Sequence, residues 1–380
     1  MGSYNGKPNT EKYNESGKFG DIYYSSSSMQ GMRSHMEDFQ CISLNLPYPF
    51  EDWAYFAIFD GHGGYRVSEL CSIELLNIIL ETEEFKNINL LNLDKSQIIN
   101  GIKKAFISLD DKISHFSEGT TVSAVFITPN YLIFMNCGDS RSVLIRESDI
   151  FFSSIDHKPT NPLEKERILK AGGQITMDRL NGNMSVSRAL GDSYYKKDYN
   201  LSAFEQLMSA EPDVYIISRN SENDQIIVLA CDGVWDVFSN TELKQLLLQR
   251  FKCTDDLVKI SDELIDAALY KGSKDNISAI IVAFVNAPKV ESECQRLDRL
   301  LDENIINKTM EYLYSESSDS SLVDLIEYMK NIALENLPPG GIVSKQSIIV
   351  NLFEKYVSVK SHCSDEFNIA TKKLLNSKEM

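Results

Sequence analysis

Six acidic residues flank apolar runs in a pattern that suits a site built where strands end. Trp53 to Gly64 reads WAYFAIFDGHGG, an apolar run that stops at Asp60-Gly61-His62-Gly63-Gly64. A carboxylate at a strand end, followed by glycines that let backbone and ligand approach closely, can hold a metal. A plain Asp-Gly turn uses the same residues, so repetition has to decide. Tyr131 to Asp139 (YLIFMNCGD) and Ile226 to Asp232 (IIVLACD) are built alike, Asp275-Asn276 precedes the run Ile277 to Val285, and Glu37-Asp38 precedes Phe39 to Leu46. If these ends meet at one sheet edge, Glu37, Asp38, Asp60, Asp139, Asp232 and Asp275 crowd into a small volume. Like charges tolerate that only when a cation neutralises them.

Nearly all of these donors are carboxylate oxygens, with one histidine nearby, so the set suits Mg²⁺ or Mn²⁺ better than Zn²⁺. Six acids exceed what one ion needs and favour two ions sharing a bridging carboxylate. Such a pair activates a water and neutralises a phosphoryl group during in-line displacement. Arg33 offers a guanidinium that matches two phosphate oxygens; the alternative is an exposed surface arginine. His62 can protonate a leaving oxygen near neutral pH, or it only shapes the Gly61 to Gly64 turn.

These residues need strands to carry them and helices to cover the strands. Residues 1–20 are polar and rich in Gly, Asn and Lys, and read as a mobile arm. Tyr23 to Ser28 reads as a first strand and Gly31 to Asp38 as a loop. Val67, Leu70, Cys71, Leu75, Ile78 and Ile79 recur at helical spacing, and a second helix is expected from Gln97 to Ser114. Thr120 to Phe152 alternates and breaks at Thr128-Pro129-Asn130 and Glu147-Ser148-Asp149, the pattern of antiparallel hairpins. Asn161-Pro162-Leu163-Glu164 opens a short helix that Gly172-Gly173 closes. Ser193 to Met208 is polar, Tyr-rich and aperiodic, a surface loop or a flap over a site. Ser239 with Glu242 forms a capping box, and Thr254 reads as the cap of the next helix. Beyond Asn286-Ala287-Pro288 strands disappear, and helical segments around Leu297 to Ile305, Leu322 to Met329 and Ser344 to Val357 follow. The division expected is an arm over 1–20, a catalytic domain over 21–290 and a helical domain over 291–380.

With 380 residues the chain can build one large core and an appendage. Acids outnumber bases by 55 to 38, which disfavours nucleic acid and anionic membrane surfaces as partners, and with them a two-metal nuclease. The seven cysteines, at 41, 71, 137, 231, 253, 294 and 363, are dispersed and include no CxxC pair, the usage of reduced thiols in a cytoplasmic or nuclear protein. No apolar run reaches the length of a membrane span. Met1-Gly2 opens like an N-myristoylation signal, although residue 6 is Gly where that pattern asks for Ser or Thr. Membrane association therefore depends on whether Gly2 is acylated.

Arg33 to Asp38 (RSHMED), Phe59 to Gly64 (FDGHGG), Gly119-Thr120-Thr121, Cys137 to Arg141 (CGDSR), Asp156 to Pro159 (DHKP), Ser187 to Asp192 (SRALGD), Ala230 to Asp236 (ACDGVWD) and Gly272 to Ser278 (GSKDNIS) stand in one order across residues 23 to 290. Together they resemble the metal-dependent Ser/Thr protein phosphatases of type 2C, and the tail resembles the helical extension of the alpha-type members. The resemblance implies an α+β fold, a four-layer sandwich of two central β-sheets flanked by helices, with a C-terminal helical domain. It also implies hydrolysis of phosphoserine and phosphothreonine in phosphoprotein substrates by a water bridging two Mn²⁺ or Mg²⁺ ions. On that basis Asp60 bridges both ions, the Gly61 carbonyl binds one, and Asp232 and Asp275 bind the other. Glu37 and Asp38 would hold ion-bound waters, and Asp139 and Asp236 a weaker third ion. Arg33 matches the phosphate binder and His62 the general acid. Met32 stands where the family usually has Trp, and the flap from Ser193 to Met208 matches the family least. A binding module that keeps the fold without catalysis would have lost ligands, and none is missing.

Overall fold

The computed structural model describes residues 4–90, 92–315 and 321–360. Gly2 lies outside them, and so does most of the Ser-rich link, at 316–320. The chain forms two compact units, Met1–Leu248 with Asp256–Pro288, and Gln249–Asp255 with Lys289–Met380. Among the described residues no helix is long and apolar enough to cross a membrane.

In the first unit two antiparallel sheets face each other. One has the strand order Tyr4–Phe19, Ile22–Arg33, Ile277–Phe284, Asp224–Ala230, Arg141–Arg146, Asp149–Ser153. The other runs Leu190–Gly191, Gly119–Thr120, Ala54–His62, Val122–Ile127, Tyr131–Cys137, Asp213–Ser218, with Asp38–Ser43 also pairing with Ala54–His62. Because side chains alternate along a strand, Ala54, Phe56 and Ile58 enter the core between the sheets, together with Ile227, Leu229, Ile280 and Val282. Tyr55, Ala57 and Phe59 pack instead in the layer of helices Arg66–Glu81 and Lys95–Lys112. Both faces of this strand are buried, which explains its unbroken apolar run. By the same alternation Asp60 falls on the face between the sheets, at their edge. The strand continues through Gly61 to His62 rather than stopping at the acid.

Helix Arg66–Glu81 buries Val67, Cys71, Leu75 and Ile79, the expected stripe. Helix Lys95–Lys112 starts before Gln97, because the Asp94 side chain accepts the Ser96 N–H at 2.8 Å and caps it. Ser239 and Glu242 exchange the capping-box bonds. Helix Leu257–Tyr270 is capped by Asp256, which accepts the Lys259 N–H at 3.1 Å, and not by Thr254. Thr254 sits too early, its own N–H still bonded to the Arg250 carbonyl at the end of the preceding helix. Asn161 precedes helix Pro162–Lys170 without capping it, its amide turned to the Asp156 carbonyl.

The expected arm is a strand. Tyr4–Phe19 pairs antiparallel with Ile22–Arg33, from Phe19↔Ile22 to Tyr4↔Arg33, with two register shifts. Its polar sequence hides this because it lies at a sheet edge and is held by the backbone ladder rather than by apolar burial. Lys12 adds an ion pair to Asp266 at 2.8 Å and Asn14 a hydrogen bond to Asp262 at 3.3 Å.

In the second unit, helices Ser292–Ser315 and Leu322–Asn331, a 3₁₀ turn Gly341–Lys345 and a helix over 346–360 enclose Leu301, Ile305, Leu313, Leu325, Met329 and Ile349. Residues 249–255 join this unit through Arg250, whose guanidinium reaches both oxygens of Asp298 at 2.6 and 3.0 Å. Lys345, 3% exposed, lies 2.7 Å from both Asp298 and Asp302. Such a buried cluster holds because each charge faces an opposite one.

Candidate active site

Where strands Ala54–His62, Tyr131–Cys137 and Asp224–Ala230 end, carboxylates converge. Oxygens of Asp60, Asp139 and Asp232 lie within 4.8 Å of one another, and so do donor atoms of Asp38, Asp60 and Cys231. Asp38 stands opposite Asp60 in the strand register and is buried, accepting a hydrogen bond from the Ser278 hydroxyl at 2.7 Å. Above them opens a cleft of about 910 Å³ lined by Arg33, Glu37, Asp60, Gly61, His62, Asp139, Asp232, Asp236 and Asp275, among others. Every residue singled out from the sequence therefore lies in this cleft or, for Asp38, just beneath its floor.

Crowding shows in the acidities. Burial, reinforced by Asp232, Asp38 and Asp139, raises the Asp60 carboxyl well above the usual carboxylate range. Asp232 is raised well above it too, by burial and by Asp139, Asp275 and Asp236. Asp38 is pushed up to about 7, chiefly by burial. Burial raises Glu37 and Asp236 as well, against the pull of Arg33 on the first and of Lys158 on the second. A cluster that resists its own ionisation, made of hard oxygen donors, fits divalent cations of the Mg²⁺ or Mn²⁺ kind.

The loop that carries Glu37 is fastened by Asn276. Its amide donates to the Gln30 and His35 carbonyls at 2.8 and 2.9 Å, and its oxygen accepts the Glu37 N–H at 2.9 Å. A Cβ at Gly233 would lie 2.0 Å from the Asn276 carbonyl, so the turn after Asp232 closes on that segment only with glycine. Arg33 reaches Asp275 Oδ2 at 2.5 Å from the strand beside it. The guanidinium thus stands next to the acids with a carboxylate as its present partner.

His62 Nε2 lies 2.7 Å from Asp192 Oδ2. Burial disfavours the imidazolium, but Asp192, with Asp139 and Glu37 adding, outweighs it and raises the pKa of His62. A Cβ at Gly119 would come within 2.3 Å of Asp192 Oδ2 and 2.4 Å of His62 Nε2, so this contact exists because residue 119 has no side chain. Asp192, Asn276, Cys231 and Lys158 escaped the reading of single residues. Asp192 and Lys158 lie in aperiodic segments, and only the fold brings them to the strand ends.

The model of the family described as Protein phosphatase 2C matches residues 22–277. The chain belongs to this family. A second model, Protein serine/threonine phosphatase 2C, C-terminal domain, matches residues 278–354, and so covers most of the helical unit of the phosphatase. The phosphatase is 41% identical over 371 residues to Protein phosphatase 1B of Homo sapiens, across 93% of this chain and 77% of that one. It is 40% identical over 377 residues to Protein phosphatase 1A of Bos taurus, across 96% and 98% of the two chains. A solved structure of a phosphatase from a pathogenic strain of Toxoplasma gondii superposes with a TM-score of 0.62 at 26% identity, covering 72% of this chain and 96% of that one. As a member of this family the chain is a protein serine/threonine phosphatase.

Proposed function

We propose that the cleft hydrolyses phosphoserine and phosphothreonine in phosphoproteins with the help of two Mg²⁺ or Mn²⁺ ions. The observation that carries this reading is the convergence of Asp60, Asp139 and Asp232 oxygens within 4.8 Å, in a cleft that also holds Arg33 and His62. Asp60 would bridge the ions, the Gly61 carbonyl would hold one, and Asp232 and Asp275 the other. Glu37 and Asp38 would act through water, and Asp139 and Asp236 would take a weaker third ion. When bound, the ions supply a water of lowered pKa and counter-charge for the phosphoryl group.

The chain's own groups do the rest. Arg33 binds two phosphate oxygens, exchanging Asp275 for the substrate without leaving the strand end that positions it. Asp192 accepts a hydrogen bond from His62 Nε2, which orients the ring in the cleft and leaves Nδ1 as the nitrogen that would donate to the leaving group. Expelling a serine or threonine alkoxide requires a proton, and an imidazolium held by Asp192 can deliver it. The buried core beneath the acids keeps them fixed at the cleft floor.

Assay of the purified chain on a phosphopeptide and on nucleic acid, with and without chelator, tests this. Phosphopeptide hydrolysis that chelation abolishes and Mn²⁺ or Mg²⁺ restores is the expected result. Full turnover in excess chelator would overturn the two-ion reading.

A further inference from the structure

Lys158 stands in the wall of the cleft with its ammonium on Asp139 Oδ2. The two are brought together by segments latched one residue away. Gly138 donates its N–H to His157 Nδ1 at 3.0 Å, and His157 returns its own N–H to the Gly138 carbonyl at 2.8 Å. Ser187 donates twice to the His157 carbonyl, from its backbone N–H and its hydroxyl, each at 2.9 Å. Asp156, on the other side, is gripped by Arg141 at 2.7 and 2.6 Å. The backbone of Lys158 is therefore fixed against the turn that carries Asp139, and only its four-carbon stem is free to move.

Burial within the pair is unequal: the Asp139 side chain is 3% exposed and that of Lys158 33%. The acid is thus nearly buried, while a third of the lysine side chain remains open to solvent. Asp139 also belongs to the triad whose oxygens lie within 4.8 Å of one another. An ammonium bonded to the Asp139 carboxylate competes with a divalent ion for that carboxylate and repels the ion at short range. Asp236, the other acid assigned to the weaker third ion, lines the same cleft and acts on the same ammonium, as does Asp232 beside it.

We propose that Lys158 is a built-in competitor for that third ion: its ammonium occupies the Asp139 oxygen, and the ion binds there only by displacing the side chain toward solvent. The inference rests on the reading of the acidic cluster as a metal site. It makes the weakness of the third site a property of one lysine rather than of too few ligands. Activity then follows cation concentration through an exchange of one positive charge for another.

Calorimetric titration of Mg²⁺ into the full-length, chelator-stripped protein tests it, comparing the unaltered chain with Lys158→Met and Lys158→Arg. Hydrogen bonds to charged groups are worth enough to shift an equilibrium on the order of tenfold. Lys158→Met should accordingly tighten the weak binding event roughly tenfold and leave the tighter events unchanged, while Lys158→Arg, which keeps the charge, should not tighten it. An unchanged or weaker third event in Lys158→Met would overturn the proposal, since it would make Lys158 a support for Asp139 or a bystander. Lys158→Gln carries the same expectation and serves as the test where the methionine variant melts early in chelator. Absence of any Mg²⁺ uptake by the unaltered chain would instead sink the metal reading beneath it, a result distinct from intact tight binding with an unmoved weak event.

Discussion

His62 Nε2 and Asp192 Oδ2 are 2.7 Å apart, although the residues are separated by 130 positions in the chain. If Asp192 positions His62 as the acid, the two should fail together and in a way that depends on the leaving group. His62→Gln is expected to slow phosphopeptide hydrolysis by on the order of 10² or more, with Asp192→Asn slowing it in the same sense. An activated aryl phosphate expels a stabilised phenolate and should be affected much less by either change. Rates on both substrates at saturating metal decide the matter, since equal losses would report altered geometry and remove His62 from the chemistry.

Asp60 contributes an oxygen to both donor triads, Asp38–Asp60–Cys231 and Asp60–Asp139–Asp232. Asp60→Asn is expected to lose nearly all activity and tight divalent-ion uptake, whereas Asp236→Asn should mainly raise the metal concentration required. Calorimetry and a phosphopeptide assay across metal concentration separate the two. Retained activity in Asp60→Asn would show that the ligand assignment is wrong.

Asn276 fastens three backbone groups of the segment from Gln30 to Glu37, and Asn276→Ala leaves all three without that partner. The expected stability loss is on the order of 2 kcal/mol, with activity falling further because Arg33 and Glu37 ride on the same segment. Thermal unfolding and phosphopeptide kinetics check this. Unchanged values in both would mean that the loop holds its shape without Asn276.

Acid should loosen the helical unit through Asp298. Burial alone would raise its carboxyl, but hydrogen bonds from Arg250 and Lys345 hold it down to about 2, against an ordinary 3.8. The unfolded chain therefore takes up this proton first as pH falls, and the native state is disfavoured by it. The stabilisation, roughly 2 kcal/mol from a shift of this size, is complete above about pH 4 and is lost as pH falls through about 2. Denaturant unfolding of the whole chain between pH 5 and pH 2 should show this slope, and Asp298→Asn should be less stable throughout and lose that part of the slope. An identical slope in the variant would exclude Asp298 as its source.

The strand ends were legible because Asp60, Asp139 and Asp232 each terminate an apolar run, and a strand buried on both faces writes that run plainly. Helix faces were legible for the same reason, as Val67, Cys71, Leu75 and Ile79 show. What stayed hidden depends on pairing across the chain. Tyr4–Phe19 carries no apolar period because a sheet edge asks for backbone bonds rather than buried side chains. Asp192 and Lys158 meet the site from irregular segments, where no period marks which residue points inward. The cap at Asp256 against Thr254 was a matter of two residues, within which helix starts are not fixed by residue type alone.

The polar outer strand also bears on how this protein behaves at high concentration. A β-sheet that ends in a flat row of open amides and carbonyls invites the same row on another molecule. Here the last strand, Tyr4–Phe19, carries Lys7, Pro8, Glu11, Lys12, Glu15 and Lys18, and its pairing slips register twice. Proline removes a donor, the charges resist dehydration, and the bulges bend the edge away from a straight template. The neighbouring strand, Ile22–Arg33, has four consecutive serines and would make a smoother edge if laid bare. Strand Tyr4–Phe19 is thus a poor template for edge-to-edge pairing, and it covers an edge that would serve that pairing better.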